Sequence, residues 1–158
     1  MSGIKFLLFF LIIFLSTDAP RFIKGDGFSG YIFDRNHLVL LSLKDQNDRY
    51  TPSNNDIILA EKILKDKIEQ SNLNLSNQTS GCPIISKNLK KYIRQYVGFK
   101  NPQGQKTIWV NLLWKQTNTN DQVKKEIITV SDGCSYYWNV KINIDKNTVY
   151  DLTINGKA

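Results

Sequence analysis

The chain has 158 residues and a net charge of +7 at neutral pH, with 21 lysines and arginines against 14 acidic residues. This positive excess favours anionic partners such as anionic lipids or acidic glycans, and the alternative is that it serves solubility alone, because the lysines are scattered along the chain. His37 is the single histidine and the two cysteines have no C-x-x-C spacing, so we expect no metal centre and no cofactor. No glycine-rich phosphate loop, nucleophile elbow or pair of carboxylates stands out, and the pattern therefore identifies no catalytic residues.

Residues 1–19 have the pattern of a secretory signal peptide. Lys5 supplies a positive charge, residues 6–15 form an unbroken apolar run, and residues 16–19 are mostly small. The run is shorter than the roughly 20 residues that cross a bilayer, so we expect no stable membrane span. Because Pro20 follows the cleavage position, an uncleaved membrane anchor is the alternative. The expected location is secreted or periplasmic, where nucleic acid is a poor partner.

Residues 20–50 precede the first clear periodic segment. Residues 20–36 are rich in glycine and aromatic residues and predict an arm that lies on the domain. Residues 37–43 form an apolar run of strand length. Residues 51–158 are then predicted to form a single domain, because the 139 residues after the leader suffice for one hydrophobic core.

Thr51 and Pro52 predict the start of a helix, with threonine as N-cap and proline at the first helical position. Apolar residues then recur at helical spacing through Ile68 and predict a buried face. Charged residues, Glu61 among them, are assigned to the solvent side. The predicted helix is therefore amphipathic, and we expect its apolar side to pack on an apolar surface of the fold.

Cys82 and Cys134 are predicted to form a disulfide, because an exported chain with an even number of cysteines pairs them. The bond would close a loop of 51 residues. In the chain-entropy model a loop of this size contributes roughly 4 kcal/mol to stability.

Alternating apolar and polar residues predict strands over residues 92–99, 106–114, 123–131, 134–144 and 149–154. Residues 101–104 predict a turn with a glycine bulge, Asp132-Gly133 a two-residue hairpin turn, and residues 145–147 a last hairpin. One helix on a four- to five-stranded antiparallel meander is an α+β fold of the cystatin-like kind, with an N-terminal arm or short strand in addition.

Four segments, residues 92–99, 104–111, 132–138 and 150–156, resemble small, uncharacterised exported proteins of Bacteroidota with a cystatin-like fold. The resemblance implies a bacterial envelope setting and no particular activity. The inhibitor motif of true cystatins, Gln-x-Val-x-Gly, is not matched, because Gln95-Tyr96-Val97-Gly98 is one residue short.

Strand parity predicts one candidate binding surface. If Ile93, Val97, Ile108 and Trp138 face the helix, their neighbours face outward. The outward set combines aromatic rings with cations and amides, as ligand surfaces do; its members are Tyr92, Arg94, Tyr96, Trp109, Asn111, Tyr137, Asn139 and Lys141. The alternative is that the aromatic N-terminal arm covers this face.

The leading functional hypothesis is an exported, non-enzymatic binding or interaction domain that uses this face. Its partner would be an unknown protein or an acidic glycan of the cell envelope. One alternative is a small enzyme of the nuclear-transport-factor-2-like kind, which requires at least two polar or charged residues between helix and sheet. Another is a structural envelope protein.

Overall fold

The computed structural model describes residues 19–39, 48–79, 81–116 and 121–157. The predicted leader, apart from Ala19, and most of the apolar run at 37–43 lie outside these ranges. The strands are β1 (Arg21–Gly25), β2 (Phe28–Phe33), β3 (Asp48–Tyr50), β4 (Tyr92–Lys100), β5 (Lys106–Trp114), β6 (Tyr137–Asn143) and β7 (Thr148–Ile154). The α-helix is α1 (Asn54–Ser71), and short 3-10 turns lie at Ile85–Lys87, Leu89–Lys91, Asp121–Lys124 and Cys134–Tyr136.

Strands β4 to β7 form an antiparallel meander within a larger sheet. The order across the sheet is β1-β2-β4-β5-β6-β7, and β3 also pairs with β4. The expected α+β class is confirmed, with one α-helix and a mostly antiparallel sheet of seven strands. The sheet is larger than the four or five strands that the alternation predicted.

The additional strands come from the segment that was predicted to be an arm. β1 and β2 form a hairpin, and β2 pairs with β4 in parallel, with Gly30 opposite Arg94. A parallel pair requires a crossover connection, and α1 lies within it. β3 pairs antiparallel with the far end of β4. Arg49 in β3 connects the end of β2 to β4, because its guanidinium donates to the carbonyls of Asp34 and Gly98.

Helix α1 begins at a capping box. The N-cap is Ser53, whose hydroxyl accepts from the backbone N–H of Asp56, while the Asp56 carboxylate accepts from the backbone N–H of Ser53. The prediction of Thr51 as N-cap is therefore wrong by two residues. The predicted apolar face is buried, but Glu61 is buried with it and does not face solvent.

The sheet has a hydrophobic cluster on each face. The larger cluster lies on the helix face, where residues of α1 such as Ile57 and Leu64 pack on Val110, Trp138 and other side chains of the sheet. The smaller cluster lies on the opposite face, which we call the outer face, and consists of Phe33, Val97, Phe99 and Trp109. Both faces of the central strands are thus buried.

The disulfide between Cys82 and Cys134 is present. It joins the segment after α1 to the start of β6. Residues near it add two further ties, because the Ser135 hydroxyl donates to the carbonyl of Pro83 and the Tyr92 hydroxyl donates to the carbonyl of Ser135. The segment between α1 and β4 is thereby fixed to the sheet.

Three local predictions between β5 and β7 are corrected. Residues 123–131 are not a strand, because β5 pairs directly with β6 and leaves no edge for them. Asp132-Gly133 is not a hairpin turn; Gly133 adopts a positive φ and leads into the 3-10 turn that contains Cys134. β6 consequently starts at Tyr137 rather than at residue 134.

The turn at residues 101–104 and the last hairpin are confirmed. The N–H of Gly104 donates to the carbonyl of Asn101, and Gly104 has a positive φ. β6 and β7 pair around residues 144–147. Within the described ranges, no helix is both long and apolar enough to cross a membrane.

Gly98 allows the segment before α1 to approach β4. A Cβ at this position would lie 2.7 Å from both Pro52 Cγ and the Tyr50 carbonyl oxygen, which is closer than atoms can pack. We expect Gly98→Ala to destabilise the protein by about 1–3 kcal/mol, because overpacking against backbone cannot be relieved by a side chain rotation. Urea unfolding monitored by tryptophan fluorescence measures this cost.

Gly156→Ala is the matched control, because a Cβ there meets no atom within 4 Å. We expect it to change stability by less than about 0.5 kcal/mol. Equal stability of the two variants would contradict the close approach at Gly98.

Candidate functional site

A buried polar cluster joins α1 to β4. Glu61 projects from the helix, and Arg94 and Tyr96 project from the helix face of β4. Arg94 donates from Nε to Glu61 Oε1 at 3.2 Å and from Nη2 to Glu61 Oε2 at 3.3 Å. Tyr96 donates its hydroxyl to Glu61 Oε1 at 2.8 Å. The Glu61 carboxylate therefore accepts three hydrogen bonds.

The burial of this cluster explains its hydrogen bonding. Arg94 is 1% exposed and Glu61 is 8% exposed. Removing an ion pair from water costs several kcal/mol per charge, and the pair is tolerated only if further hydrogen bonds satisfy it. Tyr96 supplies one such bond to the acid, and the carbonyl of Tyr92 accepts from Arg94 Nη1 at 2.7 Å.

Burial also changes the acidity of the tyrosines on this face. Burial raises the pKa of Tyr96 well above its ordinary value, and the negative charge of Glu61 raises it further. Burial likewise raises the pKa of Tyr92, whose ring packs edge-on against Trp114 and Trp138. Both phenols are therefore held as hydrogen-bond donors.

Three of the eight predicted site residues lie on the opposite face from the one expected. Tyr92, Arg94 and Tyr96 face α1 and are each no more than 1% exposed, so their assignment to an open surface is wrong. The parity of β4 was misread because both of its faces carry apolar residues. Val97, which was expected to face the helix, belongs to the outer cluster.

The other five predicted residues lie on the outer face, as expected from the register of β5 and β6. They are Trp109, Asn111, Tyr137, Asn139 and Lys141. Trp109 Nε1 donates to Asn139 Oδ1 at 3.1 Å, and Lys141 Nζ donates to Asp151 at 2.9 Å. Trp109, Asn111 and Lys141 are buried, and Tyr137 and Asn139 are half-buried.

Residues 121–132 cover part of this face, and Phe33 from the predicted arm packs on it beside Trp109. Gln95, which faces outward, anchors the covering segment through its amide: Nε2 donates to the carbonyls of Val123 and Glu126, and Oε1 accepts from the N–H of Ile128. Asn111 donates to the carbonyl of Ile128. The space left between the segment and the sheet is a crevice of about 50 Å³.

A much larger cavity lies on the helix side of the sheet. Its volume is about 710 Å³, and its walls are α1, the turn of the β1–β2 hairpin and residues 86–91. Arg94 and Glu61 line it. A hollow of about 370 Å³ beside β7 is lined, among the described residues, by no charged side chain, so we take the larger cavity as the candidate site.

Apolar side chains and lysines share the lining of this cavity. The apolar residues are Phe28, Ile58 and Leu89. The lysines are Lys62, Lys65, Lys87, Lys90 and Lys91, and all five are exposed. In the part of the chain that the structure describes, Asp26 and Glu61 are the acidic residues of this lining.

Lys115 lies beside the cavity without lining it. Lys115 donates from Nζ to the carbonyl of Lys90 at 2.9 Å. Partial burial lowers the pKa of Lys115, and the positive charges of Arg94 and Lys24 lower it further. Arg94 and Lys24 are thus close enough to Lys115 to act on its ammonium group.

The signals for metal binding and catalysis are weak. Within the described ranges, no group of three or more His, Cys, Asp or Glu residues is placed to hold a metal ion. His37 packs edge-on against Phe33, away from the cavity. The Glu61 carboxylate is occupied by three donors and is a poor general base in this arrangement. The cavity is better suited to binding than to proton transfer.

Sequence reasoning missed the role of Glu61. The position of Glu61 in the sequence could have revealed it. Glu61 lies between Ala60 and Ile63, within the buried apolar stripe of α1. A charged residue in such a stripe requires a partner inside the fold. Arg94, in the centre of an apolar strand, was the matching candidate.

No protein-family model, curated protein or solved structure matches this chain.

Tyr96→Phe tests the buried cluster. Removing the hydroxyl takes one charge-assisted hydrogen bond from Glu61, and we expect a loss of about 1.5–3 kcal/mol in the free energy of unfolding. The loss is measured by urea unfolding at neutral pH. Tyr136→Phe is the control, because the Tyr136 hydroxyl donates to the Gly81 carbonyl at an exposed site.

The same variant has a predicted pH dependence. The pKa of Tyr96 in the folded protein lies above its ordinary value of 10.0, so the folded state holds the phenol proton more tightly than the unfolded state. The contribution of Tyr96 to the free energy of unfolding is then fully present below pH 10.0, and it falls as the pH rises above this value. The Tyr96→Phe protein should lose less stability over this alkaline range than the original protein. An identical alkaline decline in both would contradict the burial of this phenol.

Proposed function

We propose that this chain is a non-enzymatic binding domain whose ligand site is the cavity between α1 and the β1–β2 hairpin. The observation that carries the proposal is the cavity itself, about 710 Å³ with apolar and cationic walls. Small-molecule sites typically enclose about 300–1,000 Å³ and combine apolar walls with a few polar groups that fix orientation. Arg94 and Glu61 are such groups at the inner wall.

The cavity replaces the outer face as the proposed binding surface. Residues 121–132 occupy the middle of the outer face, and the crevice there is about 50 Å³. Tyr137 and Asn139 retain partial exposure, but Arg94 lies on the other face of the sheet and Lys141 is buried and paired with Asp151. We still propose an anionic partner, as expected from the net charge, because the lysines around the cavity supply positive charge that would attract an anion.

We further propose that the protein acts outside the cytoplasm, in a bacterial envelope setting. The disulfide between Cys82 and Cys134 supports this proposal, because such bonds persist in oxidising compartments. The meander β4–β7 packed on one helix supports the proposed kinship with cystatin-like exported proteins. The parallel strand β2 is an addition to the cystatin-like arrangement that the alternation predicted.

A small enzyme is the second candidate, and one observation favours it. The enzymatic alternative requires at least two polar or charged residues between the helix and the sheet. The structure places three there, namely Glu61, Arg94 and Tyr96. The mutual hydrogen bonds of these residues leave no free base among them, so binding is the better-supported function.

A blocking variant tests the proposed site. Ile58 lines the cavity and is 54% exposed, so Ile58→Trp adds a large ring at the entrance without disturbing the core. A neutral environment-sensitive dye such as Nile red should bind the original protein saturably, at one site. We expect the variant to bind it at least about tenfold more weakly, which corresponds to about 1.4 kcal/mol.

Leu59→Trp is the matched control. Leu59 is the next residue on the helix, is 43% exposed and does not line the cavity. It should leave the dissociation constant unchanged. Absence of saturable binding to the original protein, or an equal effect of both variants, would refute the proposed site.

A further inference from the structure

We propose that the cavity binds a single-chain amphiphile with a phosphate head group, the apolar chain lying along the cavity walls and the phosphate between the lysines at its rim. This inference rests on the proposed function and adds the chemical class of the ligand. Three properties of the cavity carry it: its apolar lining, its unbalanced positive charge and the placement of the lysines.

The apolar part of the cavity is suited to a hydrocarbon chain. Ile58 on the helix leaves more than half of its surface in contact with water, although it faces a cavity also lined by Phe28 and Leu89. An apolar chain in contact with these residues would remove their surface from water, with a gain of roughly 25 cal/mol per Å² buried. A wholly polar ligand such as a glycan would leave this surface unused.

The charge of the lining is strongly positive. Five lysines and Arg94 stand against Asp26 and Glu61, a net charge of +4. Arg94 and Glu61 neutralise one another, so the excess belongs to the lysines. Across the part of the chain that the structure describes, none of these lysines lies within salt-bridge distance of a carboxylate. An anion is therefore the group that complements this rim.

The lysines come from two walls that face the same space. Lys62 and Lys65 are three residues apart on α1 and share one side of the helix. Lys87, Lys90 and Lys91 come from the two 3-10 turns before β4. Lys91 Nζ lies 5.4 Å from the centre of the Trp114 ring, which places its charge at this end of the sheet. A head group between the walls would meet cations on both sides.

A phosphate suits this rim better than a carboxylate. Lysine ammonium groups act as compact point charges that bind phosphate, whereas the fork that binds carboxylates and phosphates through two parallel bonds belongs to arginine. Arg94, the arginine in the lining, already holds the Glu61 carboxylate. A head group with more than one negative charge also uses more of the unbalanced lysines than a carboxylate does.

Three ligands with the same twelve-carbon chain test the proposal: dodecyl phosphate, dodecanoate and dodecanol. Each is titrated below its micelle concentration into the disulfide-bonded protein that carries Nile red, and displacement of the dye reports binding. We expect dodecyl phosphate to bind most tightly, at least about tenfold more tightly than dodecanol. Its affinity should fall with added salt, because the lysines are exposed.

Two double variants separate the rim from bulk charge. Lys62→Gln with Lys65→Gln removes two rim charges and should weaken dodecyl phosphate about tenfold while leaving dodecanol unchanged. Lys67→Gln with Lys146→Gln removes the same charge from positions outside the lining and should leave both affinities unchanged. Equal weakening by the two double variants would overturn the assignment to the rim.

The remaining outcomes distinguish this inference from the proposed function. Equal affinity for dodecyl phosphate and dodecanol would overturn the inference, and dye binding sensitive to Ile58→Trp would still support the cavity as a binding site. Tighter binding of dodecanoate than of dodecyl phosphate would overturn the choice of phosphate. A protein that binds none of the three but still binds the dye excludes this ligand class, and failure to bind the dye refutes the site itself.

Discussion

The ion pair between Arg94 and Glu61 is the interaction on which the rest of this structure depends. It sets two orientations at once, because a strand whose register shifts by one residue turns every side chain to the other face. With Arg94 on the helix face, Tyr92 and Tyr96 must lie there too, and Gln95 and Val97 must face outward. On the helix, Glu61 must turn inward, which sets the rotation of α1 over the sheet. If either residue lost its partner, the other would remain as a buried, unpaired charge, which costs several kcal/mol.

Both faces of the sheet follow from this orientation. On the outer side, the Gln95 side chain holds residues 121–132 by three hydrogen bonds and accepts a fourth from Asn111 on β5. On the inner side, the pair occupies the space between helix and sheet where an apolar core would otherwise close. The hairpin β1–β2 and the 3-10 turns then enclose the cavity, and the disulfide at Cys82 fixes the start of the segment that carries those turns. The candidate site thus adjoins the buried polar cluster, and Arg94 and Glu61 belong to both.

The sequence predicted the parts of the fold that alternation or helical spacing determines without ambiguity. β5 and β6 have one apolar and one mixed face, and their parity was predicted correctly. β4 is apolar on both faces, so alternation could not decide between them, and the aliphatic Ile93 and Val97 were assigned to the helix side in place of Arg94. Residues 123–131 have strand-like composition, but pairing of β5 with β6 left them no edge. Strand β2 was missed because its partner, β4, lies more than 60 residues further along the chain, and β1 pairs with β2. The disulfide was predicted because cysteine number and the expected compartment were sufficient.

A double-mutant cycle on Arg94 and Glu61 tests this account most directly. Arg94→Met and Glu61→Leu keep most of the side chain volume and remove the charges, separately and together, and urea unfolding gives the free energy of each protein. We expect each single variant to lose about 3–5 kcal/mol, because it leaves its partner buried and unpaired. The double variant should lose less than the sum of the two, with a coupling energy of about 1–3 kcal/mol. Costs that add to within about 0.5 kcal/mol would show that the two residues act independently, and would contradict the pair as the link between helix and sheet.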